Sequence, residues 1–199
     1  LKPILQIGAQ IDLTWKARLE EHLGSFQVEL IRSRTANVMN DRLLLAGMLS
    51  SATLINRFFP TGQVYKEFYE SSENLFDLLQ FPDIWTLGYF KWELEFLETL
   101  GFGLDLEKCA VTGSTEDLKF ISPKSGRAVS KAAAGDWSSK LLPFPIAASG
   151  QVNSLEDILD GLKVSQFFLE KKVLIAFGME HLPSARSRFI SSLERKIKN

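Results

Sequence analysis

The stretch Ile84 to Gly103, IWTLGYFKWELEFLETLGFG, limits the choice of fold more than any other. At 3.6 residues per turn Trp85, Tyr89, Trp92 and Phe96 fall on one face, with Phe90, Leu94 and Leu97 on an adjacent one. A helix apolar over that much of its circumference is expected to be buried. Gly101 is its expected C-cap. Glu93, Glu95 and Glu98 on this helix are spaced as a solvated face, not as an acid/base pair around a substrate.

Its neighbours follow from the same periodicity. The run NDRLLLAGMLSSATLINRFF places Leu44, Met48, Leu54 and Phe58 at helical spacing, with Asn40 as N-cap and Pro60 as stop. A second helix fits VYKEFYESSENLFDLLQ, and Pro82 separates it from the aromatic one. Helical order returns at Ser154, where SLED reads as an N-cap with an acid three residues on, and continues through ILDGLKVSQFFLEKKVLIAFG. A last helix fits SARSRFISSLERKIK.

Two segments break this pattern. Residues 10–19, QIDLTWKARL, alternate Ile11, Leu13, Trp15, Ala17 and Leu19 against polar neighbours, and FQVELIRSR alternates again after a Gly-containing turn. That is a half-buried hairpin, and two strands alone are marginal in water. With residues 1–7 it looks like the closing part of a small barrel. Residues 105–153 hold no sustained helical period and are too long for a simple connection. Short strands are expected there at LKFIS and RAVS, with SPKSGR as the turn between them.

The 199 residues can bury roughly 70% of the unfolded chain's surface, so no metal is needed merely to hold the chain together. Apolar runs stop well short of the roughly 20 residues that span a bilayer, and the single cysteine suits a reducing compartment. A cytoplasmic protein is expected. The chain begins at Leu1 without Met, so strands of the barrel are expected upstream. The net charge of −1 conceals a basic tail: seven Lys or Arg against two Glu from Lys171 to Asn199. Such a tail can mark a nucleic-acid or acidic-peptide partner, but a solvated helix face balanced by acidic neighbours is the preferred reading.

No phosphate-binding Gly-Lys-Ser/Thr loop, dinucleotide Gly-x-Gly-x-x-Gly, Gly-x-Ser-x-Gly elbow or His-Glu-x-x-His occurs, and His22 and His181 stand far apart. Catalysis therefore has little support. Binding has more. Lys16, Arg18, Arg32 and Arg34 set cations around the hairpin beside Trp15, a combination that serves phosphate attraction and base stacking, although for Trp15 itself a core position beside Leu13 is the preferred reading. Lys119, Lys124, Arg127, Lys131 and Lys140 form a second positive group in the irregular segment.

The block LGYFKWELEFLETLGFGLDLEKCAVTGS resembles the RecO family of bacterial recombination mediators, through Phe90-Lys91-Trp92-Glu93, Leu100 to Gly103, Leu106, Cys109-Ala110 and Gly113. SPKSGRAVS, LLPFP and EHLPSARSRFI resemble later parts of the same family, and LKPILQIGAQIDLTW resembles its N-terminal barrel. The resemblance implies an α+β protein. Residues 1–34 would be the C-terminal part of an oligonucleotide-binding (OB-fold) barrel, residues 35–107 and 154–199 a helical domain, and residues 108–153 a zinc-finger-like insert. It implies a non-enzymatic mediator of the RecF pathway, nucleoid-associated, with no cofactor. Such a protein binds single- and double-stranded DNA, anneals strands, contacts the C-terminal tail of single-stranded DNA-binding protein and, with RecR, assists RecA loading.

On that basis Lys16, Arg18, Arg32, Arg34, Lys124, Arg127 and Lys131 are the expected DNA contacts. Lys91, helped by Arg186 and Arg188, is the expected peptide contact; a lysine reaching solvent past its packed stem is the other reading of Lys91. Family members with four cysteines in the insert bind zinc, but Cys109 stands alone here and Thr112 occupies the place of its partner. Zinc needs about four good ligands, so no structural zinc is expected, and Cys109 is read as a small buried hydrophobe. The competing function is a protein-interaction adaptor that binds acidic peptides and not DNA.

Overall fold

The computed structural model describes residues 4–19, 22–152 and 154–199. Two strands, β1 (Gln10–Lys16) and β2 (Ser25–Arg32), pair antiparallel and lead into the first long helix, α1 (Arg42–Phe58). Helices α2 (Lys66–Asp77) and α3 (Pro82–Thr99) follow, joined by a 3-10 turn over Leu78–Gln80. Next come β3 (Leu118–Ile121), β4 (Ala128–Ser130), the single helical turn α4 (Lys131–Ala134) and the two-residue strand β5 (Leu142–Pro143). The chain ends in α5 (Leu155–Phe168), α6 (Leu174–Ala176) and α7 (Ser184–Lys198).

The aromatic helix α3 sits inside the bundle, with Trp85, Tyr89, Phe90, Trp92, Phe96 and Leu97 all buried. Its polar atoms are satisfied in place: the Trp85 indole donates to the Leu75 carbonyl at 3.0 Å and the Trp92 indole to Ser72 Oγ at 3.0 Å. Phe189 of α7 covers Tyr89, ring centroids 4.3 Å apart, and meets Trp85 edge-on at 6.0 Å. Offset and edge-on contacts of this kind each add about 0.5–1.5 kcal/mol beyond area burial. Helix α1 approaches α3 at Gly47, where a Cβ would lie 2.2 Å from the Trp85 ring. The absent side chain lets the two backbones close.

Helix ends follow their sequence signals, with two corrections. Asp41, not Asn40, caps α1, its carboxylate accepting from the amides of Leu43 and Leu44 at 2.9 and 3.0 Å. Leu100, not Gly101, is the C-cap of α3, and Gly101 follows it at φ +84°. There Gly101 N–H reaches the Glu98 carbonyl and Phe102 N–H the Leu97 carbonyl, both at 2.8 Å, the paired bonds of a Schellman ending. Ser154 and Asp157 form the expected reciprocal capping box on α5. The long final stretch is not uniform: a π-helical segment, Leu169–Val173, separates α5 from α6.

The hairpin differs from expectation in burial. Ile11 faces Leu30, Leu13 faces Val28 and Trp15 faces Phe26, so the apolar row is in register. Yet Trp15 is 46% exposed and Leu13, Phe26 and Leu30 are open as well, because no third strand covers that face among the described residues. The core position for Trp15 is therefore not what these residues show. Strand β1 also ends at Lys16, leaving Arg18 in the bend beyond it.

In the irregular segment β4, β3 and β5 form a three-stranded antiparallel sheet in that order. Cys109, Val129 and Ala134 make a small core of their own, with Leu118, Phe120, Ala133 and Leu141 against it, while Ile121 belongs to the main core. A third strand and the turn α4 are additions that sequence patterning did not anticipate.

Candidate nucleic-acid interface

The expected cations divide into those spent inside the protein and those left on its surface. Arg34 lies just beyond β2, ahead of α1, with its side chain reaching α2, and is only 3% exposed. Its guanidinium donates to Glu73 Oε1 and Oε2 at 3.2 and 2.9 Å and to Asp77 Oδ1 at 2.8 Å. Burial works against its charge, but the two carboxylates outweigh this and raise its pKa. The expectation of a DNA contact at Arg34 thus meets a neutralised structural charge. Arg32 shares Asp77, at 2.7 Å, from a half-exposed position.

Arg186, expected beside an acidic peptide, is 2% exposed and bonded to a carboxylate that sequence reading placed in solvent. Glu93 is fully buried: Arg186 Nε donates to its Oε2 at 2.8 Å and Nη2 to its Oε1 at 2.7 Å. Arg186 also donates to the Leu162 carbonyl at 2.9 Å and Gln166 Oε1 at 3.1 Å, and Ser165 and Tyr89 donate to the same carboxylate. A fully satisfied pair of this kind ties α3, α5 and α7 together and offers nothing to a ligand. The signal that finds Glu93 is its spacing: it stands four residues after Tyr89 and three before Phe96, within the aromatic stripe.

The remaining cations are displayed. Lys16, Arg18, Lys124 and Lys131 are exposed, and none of them forms an ion pair among the described residues. Lys16 donates to Gln27 Oε1 at 3.3 Å. Lys124 occupies the β3–β4 turn, and Lys131 opens α4. Arg127, at the base of that turn, pairs with Asp105 at 3.1 Å, both partners about two-fifths exposed. Lys140 lies 4.6 Å from the centroid of Trp137, itself 65% exposed. That exposed aromatic and cation form a ready stacking surface, which the sequence reading missed in Trp137 although it named Lys140.

Lys91 is exposed on α3, an otherwise largely buried helix. A cleft of about 550 Å³ between the start of α2 and the end of α3 is lined by Glu67, Glu95 and Glu98 with Lys66 and Tyr65, and does not include Lys91. Arg188 lines a different cleft, of about 370 Å³, with Arg57, His181 and Ser184.

The loop after α3 is closed by its own hydrogen bonds. Cys109 N–H donates to the Ser114 carbonyl at 2.7 Å, Gly113 N–H to the Cys109 carbonyl at 2.9 Å, and Ser130 N–H to Cys109 Sγ at 3.3 Å. Burial pushes the Cys109 thiol up, but hydrogen bonds with Thr112 and Ser130 outweigh it and bring it down to about 6. No group of three or more His, Cys, Asp or Glu among the described residues is placed to hold a metal ion. The residues present do not fit the zinc of four-cysteine relatives.

The described residues form a helical bundle that displays cations on a small hairpin and on an inserted sheet. Residues 39–178 match the family described as "Recombination protein O C terminal". The chain is 47% identical to the DNA repair protein RecO of Ruegeria sp. (strain TM1040), the match covering 99% of this chain and 82% of the relative. It is 45% identical to that of Jannaschia sp. (strain CCS1) and 46% to that of Cereibacter sphaeroides (strain ATCC 17029 / ATH 2.4.9), covering 80% and 81% of those relatives. The chain belongs to the RecO family, and its role lies in DNA repair and recombination.

Proposed function

We propose that this protein is a non-catalytic mediator that binds DNA through its hairpin and its insert, anneals complementary strands and, with RecR, assists the loading of RecA. The observation that carries DNA binding is the set of unpaired exposed cations, Lys16, Arg18, Lys124 and Lys131, in a chain whose other expected contacts, Arg32, Arg34 and Arg127, are compensated. Trp15 with Phe26 on the hairpin, and Trp137 in the insert, add aromatic surface on which bases can stack. The hairpin is read as the closing part of an oligonucleotide-binding barrel. Lys91 remains the proposed contact for the acidic tail of single-stranded DNA-binding protein, as the one cation on α3, a largely buried helix whose other charges are acidic. No helix among the described residues is long and apolar enough to cross a membrane.

The test is fluorescence anisotropy of a labelled single-stranded oligonucleotide over a salt series. Neutralising four to six phosphates makes log affinity fall with log salt at a slope of roughly −3 to −4. Lys124→Ala with Lys131→Ala reduces that slope by about 1.4. Affinity indifferent to salt, or no binding at low salt, would count against DNA and favour the peptide-binding adaptor.

A further inference from the structure

Helices α1 and α7 run side by side, although more than a hundred residues separate them in sequence. Between them lie two clefts. One, about 370 Å³, joins Arg57 near the end of α1 to Arg188 near the start of α7. The other, about 590 Å³, joins Arg42 at the start of α1 to Arg195 and Lys196 near the end of α7. The helices are therefore antiparallel, with cations at both ends of their shared groove.

The placement of these charges is regular. Arg42 and Arg57 lie about 22 Å apart along α1 and about 60° apart around it; Arg188 and Arg195 are about 10 Å and 20° apart on α7. All four, with Lys196 and Lys198, are exposed, and none pairs with a carboxylate among the described residues. Arg188 and Arg195 instead rest on Ser184 Oγ and Ser192 Oγ, at 2.9 and 3.3 Å, which lays both guanidiniums along their own helix. The two helices hold one carboxylate, Glu194, and the Asp41 carboxylate at the groove's end is occupied in capping α1. No large exposed hydrophobic residue lies on either helix.

A groove of spaced cations without an apolar anchor suits a polyanion of regular charge spacing better than a peptide that seats an aromatic side chain. We propose that the α1–α7 groove is a third track for the phosphate backbone of a DNA strand, separate from the hairpin and the insert. This rests on the DNA-binding reading above.

The experiment compares the full chain with two double variants, Arg57→Ala with Arg188→Ala and Arg42→Ala with Arg195→Ala, using the labelled oligonucleotide over a salt series. Since all four side chains are exposed, unchanged thermal unfolding is expected. Each double variant should weaken binding at least several-fold at low salt and reduce the salt slope by about 1.4. Wild-type binding with both variants unchanged in affinity and slope overturns the track alone. Absence of wild-type binding overturns the DNA reading and the track with it. An acidic peptide whose affinity falls in these variants while their DNA slope stays at the wild-type value also overturns the track, assigning the groove to protein.

Discussion

Glu93 and Arg186 show how one pair of side chains decides what a surface can and cannot do. Removing either partner leaves a desolvated charge without its counterion, which costs about 3–5 kcal/mol, whereas replacing both by well-packed apolar residues is often close to neutral. Arg186→Met should lower the urea midpoint strongly, and Glu93→Leu with Arg186→Met should recover most of the loss. If the double variant is as unstable as the sum of the two single ones, the pair is not coupled as described. The sequence misled at this position for a physical reason. Three glutamates on one helix resemble a solvated face, and only the helical angle of Glu93 sets it among Tyr89, Phe96 and Leu97. Arg34 was illegible for a related reason: its partners, Glu73 and Asp77, stand about forty residues away on α2. Lys16, Arg18, Lys124 and Lys131 needed only local reading, since a short polar turn or a hairpin end is exposed by its nature.

Among the elements, α3 was the most legible, because aromatic residues over most of a helix leave no arrangement except enclosure. The close approach of α1 was not legible, since a lone glycine inside a helical pattern is as consistent with a weak spot as with a contact. At Gly47 the space is already taken by the Trp85 ring. In an exposed helix Gly→Ala would stabilise by roughly 0.5–1 kcal/mol. Here Gly47→Ala should destabilise by about 1–3 kcal/mol through overpacking, read as a fall in thermal midpoint. A rise in the midpoint would mean that the ring moves aside freely. The capping box at Ser154 was legible because its chemistry is local, whereas the π segment at Leu169–Val173 carries no Pro or Gly to announce it. In the insert, LKFIS and RAVS announced two strands, but β5 is two residues long and lacks any pattern of its own.

At the scale of the whole molecule, the hairpin and the helical body meet through charge. Arg32 and Arg34 both reach Asp77, and Arg34 also holds Glu73, so α2 anchors the end of β2. Asp77→Ala should loosen this junction, raising amide exchange across β1 and β2 while the bundle's slowest amides stay protected. Equal exchange in hairpin and bundle after the substitution would show that the two open together. Charge is also unevenly distributed over the molecule: α1 and α7 carry almost no acid, whereas the cleft between α2 and α3 is lined with glutamates. On the proposed DNA-binding function, such an uneven distribution would orient the protein toward a polyanion before contact, and added salt would weaken the effect.

The packing of α7 on α3 bears on the order in which the chain is made. Phe189 covers Trp85 and Tyr89, and Arg186 neutralises Glu93, across about a hundred residues of intervening sequence. Synthesis adds about 5–20 residues per second, so α3 is finished many seconds before its cover exists. During that interval the nascent bundle holds an uncovered aromatic face and an uncompensated carboxylate, and a ribosome that stalls before α7 leaves behind a chain whose stickiest surface faces the cell.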